Sequence, residues 1–259
     1  MSARFTLRDL PGAEPMVEKA GAPDALAREA EALRLVAGHP WAPRLVAAEA
    51  GRLVTTRCPG APRPLAALPS ADARRLGTVL REVHEVRRAS EGGLWWWREP
   101  AGSLAGYRAA RAEDAEALLA GTPWAGLARL ALRAPVPQSP DEAPFRHLHG
   151  DLAEANIVWG PRGPVLVDWE FWRMGDPAEE IAYLAEVNRL PDAVLTAVLE
   201  GYAGPEVAAV ASAWRALVAL DAGGWYLREG MEAEARPLLE RGAALARREP
   251  PTSPPPRAG

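Results

Sequence analysis

The chain has 259 residues and is 48% hydrophobic, enough for two modest lobes with a substantial core, so a globular protein is expected. Its formal charge of −4, with acids and bases interspersed, leaves no electrostatic footprint for nucleic acid and favours a small partner over a polyanion. The single cysteine, Cys58, excludes an internal disulfide, the opening MSARFTLRDLPG lacks the layout of a signal peptide, and no apolar run approaches the ~20 residues of a membrane span, so a cytoplasmic protein is expected.

In chain order, residues 1 to about 58 read as short strands around one helix. Residues 4–7, 16–19, 44–48 and 53–57 are extended candidates. Residues 24–36 are helical by pattern, with Asp24 placed to cap after Pro23 and with Leu26, Leu33 and Val36 on one face; Gly38, His39 and Pro40 end that helix. Lys19 is the only lysine among 30 basic residues. Arginine serves everywhere else, so the exception points to a task that needs a compact ammonium with three rotatable donors rather than a planar fork. A chance leftover on an exposed strand is the plain alternative.

A hinge is expected at residues 55–60, where a strand gives way to a Pro-rich connector. Beyond Ser70 helices dominate: 71–86, 104–120 and 124–133, then a Pro-rich stretch at 134–144. After a central hairpin come further helices at 177–186, 192–202, 205–227 and 231–246. Residues 250–259 read as a disordered tail, and no internal repeat is visible.

The central segment, from His147 to Glu170, carries the chemistry. Residues 157–159 and 165–167 are apolar β-forming runs, and the Gly/Pro-rich 160–164 between them reads as a five-residue loop. That register pairs 157 with 167 and sets Asn156 directly across from Asp168, at about 4.5–5.5 Å between Cα atoms. Two oxygen ligands then converge, with Asp151 five residues upstream on the entering loop. A hard cation held by few protein oxygens, with water and phosphate completing its shell, is how Mg²⁺ is usually bound. The pattern Asp-x₄-Asn, turn, Asp is that of phosphoryl transfer.

Two other readings compete. His147, His149 and Asp151 form H-x-H-x-D, the opening of several zinc hydrolase motifs, although His39 and His84 are the other histidines and lie far upstream. The plainer reading is a hairpin with solvated polar ends and His149 as a hydrogen-bonded structural residue.

With strands, a hinge, helices and the residues HGDLAEAN and VLVDWE in view, the chain resembles the aminoglycoside phosphotransferase and choline kinase-like family over nearly its whole length. The resemblance implies an α+β, protein-kinase-like two-lobe fold. It places a nucleotide-binding lobe at 1–58, a helical catalytic and acceptor-binding lobe at 59–249, and the tail beyond. It makes Asp151 the catalytic base and Asn156 and Asp168 the Mg²⁺ ligands. Lys19 becomes the contact to the nucleotide α- and β-phosphates and Glu29 its ion-pair partner, preferred over Glu31 on the Glu-x-x-x-Leu pattern of Glu29 and Leu33. The Thr56 carbonyl and Cys58 N–H would receive adenine, with the Cys58 side chain an apolar lining rather than a nucleophile.

The chain departs from the family pattern in two places. Glu180 stands where an Asp is expected, in Gly175-Asp176-Pro177-Ala178-Glu179-Glu180, which lengthens the arm. Before Lys19, where the family folds a Gly- and Ser-marked hairpin over the phosphates, the chain offers residues 8–15, with one glycine and acidic side chains, a poor anion cradle.

The expected function is therefore transfer of the ATP γ-phosphoryl group to a hydroxyl of a small molecule. A nucleotide-binding regulatory protein that has lost transfer is the second reading, motivated by that poor loop, and a zinc hydrolase the third. Glu179, Glu180, Glu186, Glu229, Glu232 and Glu234 are expected to wall an acceptor pocket suited to a cationic amine, with Trp95, Trp96, Trp97, Trp169 and Trp172 as a possible aromatic face. Solvated helix faces and a packing plug are the ordinary alternatives.

Overall fold

The structure is a computed structural model that describes residues 5–10, 12, 14–86, 103–134 and 145–248. Strand β1 (Thr6–Leu10) forms an antiparallel hairpin with β2 (Met16–Ala20), which pairs on its other edge with β4 (Arg52–Thr56). β3 (Leu45–Glu49) closes the sheet in the order β1-β2-β4-β3. Helix α1 (Pro23–Leu35) buries Leu26, Glu29 and Leu33, with Val36 buried just beyond its end. The expected Asp24 cap is not made. Ala22 holds the cap position, Pro23 starts the helix with its fixed φ, and Asp24 sits in the first turn, where a carboxylate meets the positive end of the dipole.

The rest of the chain is mainly helical: α2 (Ser70–Glu85), α3 (Leu104–Leu119), α4 (Leu127–Ala131), α5 (Pro177–Val187), α6 (Asp192–Tyr202), α7 (Pro205–Arg228) and α8 (Glu232–Ala246). All fall in stretches expected to be helical. α4 is the shortest, because residues 120–126 form turns whose following N–H groups, at Gly126, Ala128 and Arg129, are taken by the Glu116 carboxylate. α2 packs closely on α6 because Gly77 has no side chain; a Cβ there would run into the Val198 carbonyl. Trp41, Trp169, Trp214 and Tyr107 are the largest fully buried side chains.

Short strand pairs thread between these helices. β5 (Ala61–Pro62) pairs with β7 (Ile157–Gly160), β7 with β8 (Gly163–Leu166), and β6 (Arg146–Leu148) with β9 (Arg173–Gly175). Strands of two or three residues carry no readable alternation, which is why β5, β6 and β9 were not expected.

The β7–β8 register differs from expectation by one residue. Ile157 faces Leu166 and Gly160 faces Gly163, so the turn is the two residues Pro161 and Arg162 rather than five. Gly160, Gly163 and Pro164 look like turn chemistry but belong to the strands; Pro164 is tolerated because β8 is an edge. Asn156 consequently lies across from Val167, whose N–H donates to the Asn156 carbonyl at 3.0 Å, and not across from Asp168.

Two contacts seat the N-terminal part on the hairpin. The Leu166 N–H donates to the Trp41 carbonyl at 2.8 Å, and the Trp172 indole N–H donates to the Arg28 carbonyl on α1 at 2.9 Å. Among the described residues no helix is long and apolar enough to cross a membrane. Trp95, Trp96, Trp97 and residues 250–259 lie outside the described residues.

Candidate active site

The loop after β6 is shaped by what holds it from behind. Gly150 has φ of 87°, and a Cβ there would run into the Phe171 carbonyl, so only glycine turns the chain here. Its N–H donates to Glu180 Oε1 at 2.6 Å, and Glu180 Oε2 lies 2.8 Å from His84 Nε2, whose Nδ1 is 2.8 Å from the Tyr202 hydroxyl. Burial works against the Glu180 charge, but the His84 bond and its neighbours outweigh it and hold the carboxyl below its usual range. Glu180 therefore lies behind the loop, and its longer arm is taken up by a buried histidine.

His149 ties the same loop. Its Nδ1 accepts from the Asp151 N–H at 3.3 Å, which makes Nε2, 3.0 Å from the Val167 carbonyl, the donor. Burial holds its pKa below the ordinary value, so the ring is neutral with both nitrogens engaged. Among the described residues no group of three His, Cys, Asp or Glu is placed to hold a metal, which removes the geometric basis of the zinc reading.

Asp151 is held at both carboxylate oxygens. Asn156 Nδ2 donates to Oδ2 at 2.9 Å and to the Asp151 carbonyl at 3.1 Å, while the Tyr183 hydroxyl donates to Oδ1 at 2.7 Å. Because its amide nitrogen is committed to Asp151, the other polar atom of the Asn156 side chain is Oδ1, an oxygen acceptor. Tyr183 had not been singled out. The available signal was its place on α5 three residues after Glu180, on the same helix face.

Across the site Lys19 Nζ lies 2.7 Å from Glu29 Oε2 and 2.5 Å from Asp168 Oδ1. Burial pulls the Lys19 pKa down, but Glu29 and Asp168 outweigh it and raise it above the usual value. Burial pushes the Glu29 carboxyl up, and Lys19 and the Trp169 N–H pull it only part of the way back. Asp168 has φ of 66°, a left-handed conformation that takes its side chain out of the strand alternation and starts the 3-10 turn Trp169–Phe171. With about a third of its side chain exposed, Asp168 offers a carboxylate oxygen and Asn156 an amide oxygen, the donor type that suits a hard cation. Glu170 is pushed up to about 7, first by burial and then by Asp168, Glu29 and Asp151.

The segment expected to cover Lys19 lies elsewhere. Lys19 pairs with Leu7, whereas the turn after Leu10 sits at the other end of the hairpin, beside Met16 and Thr56. Its acidic residues serve that end: Glu14 pairs with Arg44 at 2.5 Å and Asp9 with Arg57. The group over Lys19 is instead the Phe5 ring, whose centroid is 3.9 Å from Nζ.

At the end of β4 the Thr56 N–H donates to the Arg44 carbonyl at 2.9 Å and the Arg57 N–H to the Pro15 carbonyl at 2.9 Å. By strand alternation the Thr56 carbonyl faces away from β2. Cys58 is half-buried and burial pushes its thiol up, which fits an apolar lining.

Asp151 opens into a cleft of about 600 Å³, walled by Arg111, Asp114, Phe171, Tyr183, Asp221, Trp225 and Tyr226 among others. The glutamates expected there are elsewhere. Glu179 is buried in bonds from Arg111 (2.8 Å), Arg173 (3.0 Å) and the Tyr107 hydroxyl (2.5 Å), and Glu186 is buried between Arg215 and Arg241. Glu229, Glu232 and Glu234 do not line the cleft. Trp169 and Trp172 are buried, and the aromatic wall comes instead from Phe171, from Tyr183 on α5 and from Trp225 and Tyr226 on α7.

Residues 4–220 match the phosphotransferase enzyme family APH. The chain belongs to this family. Among solved structures the phosphotransferase is similar to a choline kinase from Streptococcus pneumoniae, with 14% identity, 95% of this chain and 93% of that chain covered, and a TM-score of 0.68. It is also similar to a choline/ethanolamine kinase family protein from Mesorhizobium loti, with 18% identity, coverage of 94% and 88%, and a TM-score of 0.66. A macrolide 2'-phosphotransferase from Brachybacterium faecium shares 21% identity, coverage of 96% and 89%, and a TM-score of 0.64. What these share with the chain is the kinase-like fold. No curated protein sequence matches it.

Proposed function

We propose that this phosphotransferase moves the γ-phosphoryl group of ATP to a hydroxyl of a small molecule. In this reading residues 1–58 form the nucleotide lobe and residues 59–249 the catalytic lobe. The observation that carries it is the Asp151 carboxylate, held at both oxygens and open to a cleft, with Lys19, Glu29 and Asp168 assembled from three separate elements. A solved structure of the streptococcal choline kinase holds AMP, which supports nucleotide use by the fold.

Asp151 orients the acceptor hydroxyl and takes its proton late in the transfer. Lys19, kept charged by Glu29, steadies the α- and β-phosphates, and the Thr56 carbonyl and Cys58 N–H receive the adenine edge. Asn156 and Asp168 would hold Mg²⁺, which when bound would offset the negative charge of the phosphates. The acceptor faces Trp225 and Tyr226, aromatic faces suited to an ammonium by cation–π attraction, while Asp114 and Asp221 on the same wall are paired with Arg111.

The test is ADP release from Mg-ATP across a panel of amines, amino sugars, amino alcohols and nucleosides. Asp151→Ala is expected to lower turnover at least about a hundredfold while leaving Mg-ATP affinity within about threefold. Equal turnover would remove Asp151 as the base. The engagement of Lys19 by Asp168 and the Phe5 ring favours a second reading, a nucleotide-binding regulator; Mg-ATP binding without ADP release on any acceptor would select it.

A further inference from the structure

Asp151 is the group on which the proposed reaction turns, and its two oxygens are not held alike. Oδ2 is held by Asn156, which is also assigned to the metal, whereas Oδ1 is held by Tyr183, which has no other part in the reading. A carboxylate has only acceptor oxygens, so the phenol must donate, and the bond at each oxygen leaves a lone pair for the acceptor. Burial first and then Asp151 keep the phenol pKa well above its usual value, so the donor is permanent.

The helix that carries Tyr183 is itself fixed. Asp176 caps α5 by accepting from the Ala178 N–H at 2.9 Å and from the Trp214 indole at 2.7 Å. Three residues before Tyr183, Glu180 grips the Gly150 N–H. One helix thus holds both the backbone just before Asp151 and the end of its side chain. Tyr183 also lines the cleft, so its hydroxyl stands where an acceptor would approach.

We infer that Tyr183 is a positioning residue that sets the Asp151 carboxylate for the acceptor hydroxyl. The inference rests on the phosphotransfer reading. In the step it serves, the acceptor O–H bond breaks and its proton passes to an Asp151 oxygen, the acceptor O–P bond forms, and the bond from the γ-phosphorus to the bridging oxygen breaks to release ADP. The Tyr183 proton stays on Tyr183 throughout.

The experiment is a double-mutant cycle on the full chain, reading single-turnover ADP formation from Mg-ATP with the best acceptor of the panel, or water where none is found. Tyr183→Phe keeps the ring and removes the donor. It is expected to lower the rate about ten- to hundredfold, the loss of one hydrogen bond to a charged group, with Mg-ATP and acceptor KM within about threefold. In an Asp151→Ala background the same change is expected to alter the rate by less than about threefold, because there is no carboxylate left to position. A crystal structure of Tyr183→Phe is expected to show the Asp151 carboxylate turned from its place on an unchanged backbone. An equal loss in both backgrounds would assign Tyr183 to general structure, a change in acceptor KM alone would make it only a cleft wall, and a Tyr183→Phe rate equal to wild type would end the inference while leaving phosphotransfer standing. A wild-type chain that forms no ADP with water or any acceptor would instead end the phosphotransfer reading and this inference with it.

Discussion

The two sides of the site are held by different physics. Asp151 is gripped by neutral donors, the Tyr183 hydroxyl and the Asn156 amide, on a loop tied to Glu180 and His149. Lys19 is gripped by charge, between Glu29 and Asp168, and both must stay ionised. Neutral hydrogen bonds fix a carboxylate without cancelling its charge, which suits the proton-accepting role proposed for Asp151. Ion pairs hold an ammonium firmly but leave it committed, so a phosphate arriving at Lys19 must compete with Asp168. One side is preorganised; the other has to rearrange.

The largest expected effect comes from removing the shared cation. Lys19→Met leaves Glu29 and Asp168 without the cation they share, and Glu29 is buried. Breaking a buried pair at one end costs about 3 kcal/mol or more, so urea unfolding should show a loss of that size and isothermal titration a loss of Mg-ATP binding. A variant as stable as the wild type would mean that the charges are not coupled as described.

On the neutral side the effect should be smaller and confined more to rate. Glu180→Asp restores the residue the family pattern expects, yet the shorter arm cannot reach both the Gly150 N–H and His84. Leaving one buried polar group unpaired costs about 1–3 kcal/mol, read by urea unfolding, and turnover should fall with it.

The same contrast explains what could be read before the structure. Lys19, Asp151 and Asn156 stood out by residue type and spacing and Glu29 by resemblance to the family pattern, and the fold brings Lys19 to Glu29 and Asp151 to Asn156. The hairpin register was not, because Gly160, Gly163 and Pro164 carry turn chemistry while sitting in paired strands. Tyr183, Asp221, Trp225 and Tyr226 were not, because the cleft is made by α5 and α7 meeting the loop, and no local pattern marks which helix residues will face it. Glu179 and Glu186 read as acids of an acceptor pocket or a solvated face until Arg111 and Arg173, and Arg215 and Arg241, are brought against them by the fold.

Within the charged side, pH separates Glu170 from its neighbours. Its carboxyl is raised from 4.5 to about 7 by burial and nearby acids, so between those values the native chain holds a proton that the unfolded chain has lost. Stability therefore falls as pH rises through that window, and Glu170→Gln should remove the fall. After allowance for the half-exposed position, the gain is about 1 kcal/mol above pH 7 and vanishes below pH 4.5. Thermal unfolding at pH 8 and pH 4.5 checks this, and a gain equal at both values would contradict it.

The smallest effect should come at Phe5. Two of the three Lys19 ammonium protons go to Glu29 and Asp168, and the Phe5 ring lies over what remains. A cation–π contact is worth about 0.5–2 kcal/mol, toward the upper end for an ammonium as buried as that of Lys19, and a nucleotide phosphate reaching Lys19 must replace either that contact or the Asp168 bond. The ring is the cheaper of the two to displace, since releasing Asp168 would separate opposite charges. Phe5→Ala is therefore expected to tighten Mg-ATP binding about two- to fivefold in isothermal titration, with the Lys19–Glu29 pair intact and stability reduced by no more than about 2 kcal/mol. Weaker binding in that variant would show the ring to be part of the phosphate cover, the place left open when the turn after Leu10 proved to sit at the hinge end of the sheet.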